Sequence, residues 1–143
     1  MTFRKGDIFD LKSILHIENV VFNKPYWTAD MLKKLLRNYR RETICVLENQ
    51  NEIIGYLIEQ RCDNEISILN VAIDRPFQNK SMGKKLVNKY LDIIPSNCTV
   101  FLEVNRSIFI AIKIYTDLNF IKIDERKNYY KNGEDALVMR YSK

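Results

Sequence analysis

Apolar positions along the chain follow first a helical and then a strand period. Ile8, Leu11, Ile14, Leu15 and Phe22 recur at helical spacing, with Asp7 placed to cap the start, and predict an amphipathic first helix. A short strand near Phe3 precedes it. Pro25, Tyr26 and Trp27 break the pattern, and Thr28 caps a second helix with the apolar face Met31, Leu32, Leu35 and Leu36. The runs TICVL (43–47) and IIGYLI (53–58) read as a hairpin across the turn-prone ENQNE. In EISILNVAI (65–73), Leu69, Val71 and Ile73 fall on one face and Ile66, Ile68 and Ala72 on the other. Ser67 and Asn70 are the polar exceptions. Two apolar faces predict a central strand covered on both sides.

Beyond that strand the helical period returns through Val87, Tyr90, Leu91 and Ile94, and Pro95 stops it. The strand CTVFLEV (98–104) follows, then a helix over 107–118 that Asn119 can close in a left-handed conformation. Two last strands, 120–129 and 136–141, are joined by KNGED. The order is βααβββαβαββ, an α/β layer with a strand-loop-helix unit at its middle. No repeat or flexible linker interrupts it, so one domain over residues 1–143 is expected.

Composition narrows the class. The 143 residues are 46% apolar and 11% aromatic, enough for one substantial core. Lys and Arg outnumber Asp and Glu by 23 to 18, but the basic residues are scattered in pairs such as Lys84 and Lys85, so direct nucleic-acid binding is not expected. Cys45, Cys62 and Cys98 show no C-x-x-C spacing, and His16 is the only histidine. No metal and a reducing compartment are expected. The start MTFRKGDIFD lacks an apolar signal core and no run suits a membrane span, which predicts a cytoplasmic protein without a membrane partner.

The candidate chemistry begins at Gln78, Asn79, Lys80, Ser81, Met82 and Gly83, between a buried strand and a helix start. Free N–H groups and the helix dipole favour an anion there, and Lys84 and Lys85 add positive charge. An ordinary strand-to-helix turn is the alternative. Glu103 stands inside an apolar strand, which leaves either a functional carboxylate or one that reaches solvent or Arg106. Tyr115 shares a helix face with Ala111, where a core aromatic is the plain alternative. Tyr129, Tyr130, Glu134 and Asp135 cluster at the last hairpin, either as a binding wall or as a soluble turn. Glu18, on the first helix, can face the same site, the alternative being the usual solvated glutamate of a first helix.

NVAIDRPFQNKSMGKKLV resembles the acetyl-CoA loop of GNAT acetyltransferases, Q/R-x-x-G-x-G/A, with Gln78 and Gly83 matching and Ser81 in place of a Gly. LEVNRSIFIAIKIYTDLNF and RKNYYKNGEDALVM resemble the RimI branch of that family, here with Ile108 where the pattern has Asn. The resemblance implies a GNAT fold, a mixed twisted sheet of about seven strands flanked by about four helices. It implies acetyl-CoA as cosubstrate, its pyrophosphate held by residues 78–84 (Gln78, Asn79, Lys80, Ser81, Met82, Gly83 and Lys84). The pantetheine would lie along Val71, Ala72 and Ile73. It further implies Glu103 as general base and Tyr115 as general acid, with an acceptor groove between Phe22 and Trp27 on one side and Tyr129, Tyr130, Glu134 and Asp135 on the other.

The acceptor so implied is the N-terminal amine of a protein, an alanine of a small-subunit ribosomal protein, and the enzyme is expected to be a monomer or weak dimer. Chemistry favours that acceptor independently. An α-amine of pKa about 7.8 is partly neutral at cytoplasmic pH, whereas lysine near 10.4 is neutral to about one part in a thousand. One carboxylate acting through water suits the first better. The alternatives are a GNAT that acetylates a lysine or small amine, and a catalytically weak acyl-CoA-binding module.

Overall fold

The computed structural model describes residues 1–37 and 41–143. Strand β1 (Thr2–Lys5) leads through a single 3-10 turn, Ile8–Asp10, into α1 (Leu11–Val21) and α2 (Ala29–Arg37). Strands β2 (Glu42–Asn49), β3 (Glu52–Cys62) and β4 (Glu65–Ile73) form an antiparallel meander. Then come α3 (Met82–Ile93), β5 (Thr99–Asn105), α4 (Phe109–Asp117), β6 (Ile121–Arg126) and β7 (Ala136–Ser142). The strands make one seven-stranded sheet in the order β1-β2-β3-β4-β5-β7-β6.

Local chemistry accounts for the punctuation. Asp7 accepts the N–H of Phe9 at 2.8 Å while Asp10 accepts the N–H of Asp7 at 2.9 Å, a reciprocal cap that starts the first helical turn. Arg4 reaches Asp10 with both terminal nitrogens, at 2.8 and 2.9 Å. Thr28 accepts the N–H of Met31 at 3.2 Å at the head of α2. Gln50 and Asn51 both take positive φ, 50° and 64°, as a two-residue hairpin turn between β2 and β3 requires. Helix α4 ends on Asn119 at φ 71°, with the N–H of Phe120 returning to the Tyr115 carbonyl at 2.9 Å and that of Asn119 to Thr116 at 3.0 Å. The same reversal seats Phe120 against Tyr115 with ring centroids 5.5 Å apart.

Two cores sandwich the sheet. On one side Leu86, Val87, Tyr90 and Leu91 of α3 pack on Ile66, Ile68, Ile73, Val100 and Leu102. On the other, Ile14 and Ile17 of α1 and Leu32, Leu35 and Leu36 of α2 pack on Ile44, Val46, Tyr56, Ile58 and Ala72.

The faces of β4 differ from simple alternation. The register against β3 slips between Ile58↔Asn70 and Glu59↔Ile68, leaving Leu69 as an extra, exposed residue. A bulge shifts parity by one, so Ile66 and Ile68 share the α3 side with Val71 and Ile73, while Ala72 belongs to the α1 side. Strand β6 also stops at Arg126, short of Tyr129. Asp135 accepts the N–H of Asn128, which has φ 51°, and so turns the chain before the tyrosines.

Candidate active site

The sheet opens at its middle. Strands β4 and β5 run parallel and pair from Glu65↔Thr99 to Ile68↔Leu102, and there the pairing stops. The edge of Leu69–Ile73 that faces β5 therefore carries backbone groups that no strand satisfies. Next to the last pair stand the bulged Leu69 on β4 and Glu103 on β5. A strand edge exposed inside a sheet is a place for an extended ligand to add hydrogen bonds.

Below this split the chain passes from β4 through a 3-10 turn, Arg75–Phe77, into α3. Asp74 caps that turn through the Arg75 N–H at 2.9 Å, and Arg75 Nε donates to the Val20 carbonyl at 2.7 Å, tying the loop to α1. Gln78 Nε2 donates to the Ile73 carbonyl at 2.8 Å, so its amide closes the loop. Asn79 and Ser81 both lie at φ 60°. Ser81 is the N-cap of α3 yet makes no side-chain cap bond.

Among the described residues no acceptor meets the N–H groups of Met82, Gly83 or Lys84. An uncapped twelve-residue helix thus presents its positive end. A Cβ built on Gly83 would lie in ordinary van der Waals contact with Ile114 Cδ1 at 3.5 Å and Ile73 Cγ1 at 4.0 Å, where α3 faces α4 and the end of β4. A bare helix N-terminus of this kind favours an anion such as a phosphate. Lys84 lies 3.5 Å from Asp117 of α4, and Lys80 is exposed.

Replacing Ser81 by Gly is expected to tighten acetyl-CoA binding, because it removes the Cβ beside the loop amides while the left-handed turn is already present without ligand; calorimetry should give a lower Kd.

On the β5 side, Glu103 lies 3.5 Å from Arg126 of β6. Arg106 instead pairs with Glu125, so it does not neutralise Glu103. The Tyr129 phenol is held above the ordinary phenol range by its hydrogen bond to Glu103, and the Arg126 guanidinium sits 5.6 Å over its ring. Tyr130 is pushed the same way by burial and by the charge of Glu103. Tyr115 is pushed up to about 12 by burial and by neighbouring Tyr130. Glu103, Tyr129, Tyr130 and Tyr115 therefore form one electrostatically connected group beside the split.

Not every candidate joins it. Glu134 accepts from Asn105 Nδ2 and from Ser107 Oγ, and Asp135 accepts from the Asn128 N–H at 2.9 Å and from Lys127 Nζ at 3.3 Å. Both carboxylates shape the hairpin that carries the tyrosines. Phe22 and Trp27 line a cavity of about 180 Å³ with Lys24, Tyr26, Leu69 and Asn70 on the β4 side of the split. Its floor holds Glu18, which is 1% exposed and far from solvated. Helix α1 turns this glutamate inward, where it meets Tyr56 and Asn70. Asn70, a polar residue in an apolar strand, and Glu18 on the first helix were the sequence signals of that network.

A mixed seven-stranded sheet, split between two parallel strands over an uncapped helix, with a carboxylate and phenols at the split, defines an α/β fold with an anion-favouring helix end beside a free strand edge. Residues 13–143 match the model of the acetyltransferase (GNAT) domain. The chain belongs to the GNAT acetyltransferase family and, within it, is RimI-like. It is similar to ribosomal protein bS18-alanine N-acetyltransferase of Haemophilus influenzae, 32% identical over 136 residues, covering 91% of this chain and 90% of that relative. The protein of the same name from Haemophilus ducreyi is 34% identical over 96 residues, covering 63% of this chain and 66% of that one. The crystal structure of the corresponding Escherichia coli enzyme superposes with a TM-score of 0.88 at 27% identity, covering 99% of this chain and 92% of that one. Acetyl-CoA is the acetyl donor in this family. Among the described residues no helix is long and apolar enough to cross a membrane, and no group of three or more His, Cys, Asp or Glu is placed to hold a metal.

Proposed function

We propose that residues 1–143 act as one N-terminal protein acetyltransferase domain, transferring acetyl from acetyl-CoA to the α-amine of a protein. By kinship with the bS18-alanine enzymes, the acceptor is the N-terminal alanine of a small-subunit ribosomal protein. The observation that carries this reading is the position of Glu103, immediately after the last β4–β5 pair and among three tyrosines whose phenols keep their protons.

Acetyl-CoA supplies the acetyl group as a thioester, open to attack by a neutral amine. The N–H groups of Met82, Gly83 and Lys84 hold its phosphates, and the free edge of Leu69–Ile73 orients the pantetheine. Glu103 accepts the proton that the amine gives up, through water. Tyr115 keeps its proton on Oη at every physiological pH and offers it to negative charge developing at the sulfur. Phe22 and Trp27 on one side, Tyr129 and Tyr130 on the other, restrict entry to a narrow peptide end. The protein works in the cytoplasm, where ribosomal proteins are made.

Acceptor competition tests the substrate class. An alanine-first peptide should exceed a peptide with a blocked N-terminus and an internal lysine, and also spermidine, by at least about a hundredfold in kcat/KM, following the difference in neutral amine. Equal or greater turnover of either competitor contradicts it.

A further inference from the structure

Glu18 is the most deeply buried charged side chain among the described residues, and it has no cationic partner there. Its carboxylate is satisfied entirely by neutral donors. Oε2 accepts the backbone N–H of Tyr26 at 3.0 Å and of Trp27 at 3.3 Å. Oε1 accepts the Tyr56 hydroxyl and Asn70 Nδ2, the latter at 2.9 Å. Asn70 also donates to the Tyr56 oxygen at 3.1 Å. Two donors on each oxygen fill the four lone-pair sites of a carboxylate, so no site is left for a substrate proton.

The four donors come from the paired strands β3 and β4 and from the segment between α1 and α2. Tyr56 lies on β3, fully buried, and Asn70 follows the β4 bulge that turns it to the α1 side. Tyr26 and Trp27 belong to the irregular segment between α1 and α2, whose N–H groups have no helical or strand partner. Pro25, just before them, has no N–H to offer. One side chain thus fastens the α1–α2 loop to β3 and to the apex of the split.

We propose that Glu18 is a positioning residue for the acceptor. By holding the backbone at Tyr26 and Trp27 it fixes the wall of the small cavity that Trp27, Phe22 and Leu69 line beside the β4–β5 split. This rests on the reading of that cavity as the acceptor entrance. It acts through the loop, and Glu103 alone takes the proton.

The test compares Glu18→Ala with Glu18→Gln in the full chain. The alanine variant deletes all four acceptor sites and frees the loop. Glutamine keeps an oxygen for the Tyr26 and Trp27 N–H groups, while the Tyr56 hydroxyl and the Asn70 amide can both rotate to accept from its NH₂. E18A is expected to raise KM for an alanine-first peptide about tenfold or more, the scale of a lost charge-assisted hydrogen-bond set. Its Kd for acetyl-CoA and the shape of its pH profile should stay as in the wild type. E18Q should return the peptide KM to within about threefold of wild type.

An unchanged peptide KM in folded E18A overturns the proposal, as does an E18Q that matches E18A and shifts the pH profile. If E18A does not fold, Asn70→Ala replaces it, with the same split expected at about threefold in KM. Trp27 is the only tryptophan, so its fluorescence reads the loop without any substrate. Acrylamide quenching should rise in E18A, or in the Asn70 variant, and not in E18Q. If the wild type acetylates no N-terminal peptide, the functional reading fails while this quenching result still decides the proposal. Unchanged quenching overturns it.

Discussion

Glu103→Gln should lower kcat for an alanine-first peptide by about 10²- to 10³-fold, the usual worth of a positioned general base. The substitution keeps size and hydrogen-bonding reach, so Arg126 and Tyr129 retain a partner and the β5–β7 pairing at Glu103↔Val138 is untouched. Acetyl-CoA affinity should stay within about twofold, because its phosphates are assigned to the head of α3. The pH dependence gives a second reading. Without a base the variant depends on amine that is already neutral, and the neutral share of an α-amine rises about sevenfold between pH 7 and pH 9. The variant's rate should climb by that factor and level off, still well below wild type. Stopped-assay thiol release across pH measures both. A loss of less than about threefold in kcat shows that Glu103 is not the base.

Tyr115→Phe should cost a comparable 10²-fold in kcat with stability nearly unchanged. The ring is held by Phe120 in the turn that closes α4, and phenylalanine preserves that contact. Sequence alone suggests a phenol near 10 handing its proton to a thiol near 8.5, uphill by only ~2 kcal/mol. In the structure, burial and Tyr130 push the phenol up to about 12. Complete transfer to a free thiolate is then uphill by about 5 kcal/mol. On the proposed mechanism Tyr115 is then a firm hydrogen-bond donor to charge building on the sulfur, delivering its proton only as the bond to carbon breaks. The sign for pH follows from the raised value. The protonated phenol is present throughout the range below 10, and its contribution is lost only as pH rises towards 12. The wild-type rate should accordingly show no falling limb from Tyr115 below about pH 10.5. A falling limb near pH 8 that disappears in Tyr115→Phe contradicts this environment.

Local signals carried most of the fold. Asp7, Thr28 and Asn119 announced helix ends that the structure closes with the hydrogen bonds those residue types make. The left-handed Asn79 was equally legible. Long-range facts were not. The bulge at Leu69 is a register relation between β3 and β4, invisible in β4 alone, and it reverses which residues share a face. Glu18 reads as either a groove-facing or a solvated helix residue until Tyr56, 38 positions away, and Asn70, 52 away, close over it. Arg106 stands nearer Glu103 in sequence than Arg126 does, yet antiparallel strand geometry gives the ion pair to Arg126. The acidic Glu134 and Asp135 look like ligands for a cationic amine, and in the structure each also accepts hydrogen bonds that turn the hairpin.

The most direct test of the central claim is to locate the acetyl group. An alanine-first peptide with the N-terminal sequence of ribosomal protein bS18 and an internal lysine is incubated with acetyl-CoA and either wild type or Glu103→Gln, then fragmented in the mass spectrometer. One acetyl group on the α-amine, none on the lysine, and a rate that collapses in the variant is the expected result. Acetyl on the lysine alone, or an equal rate on the α-amine in both proteins, would contradict it.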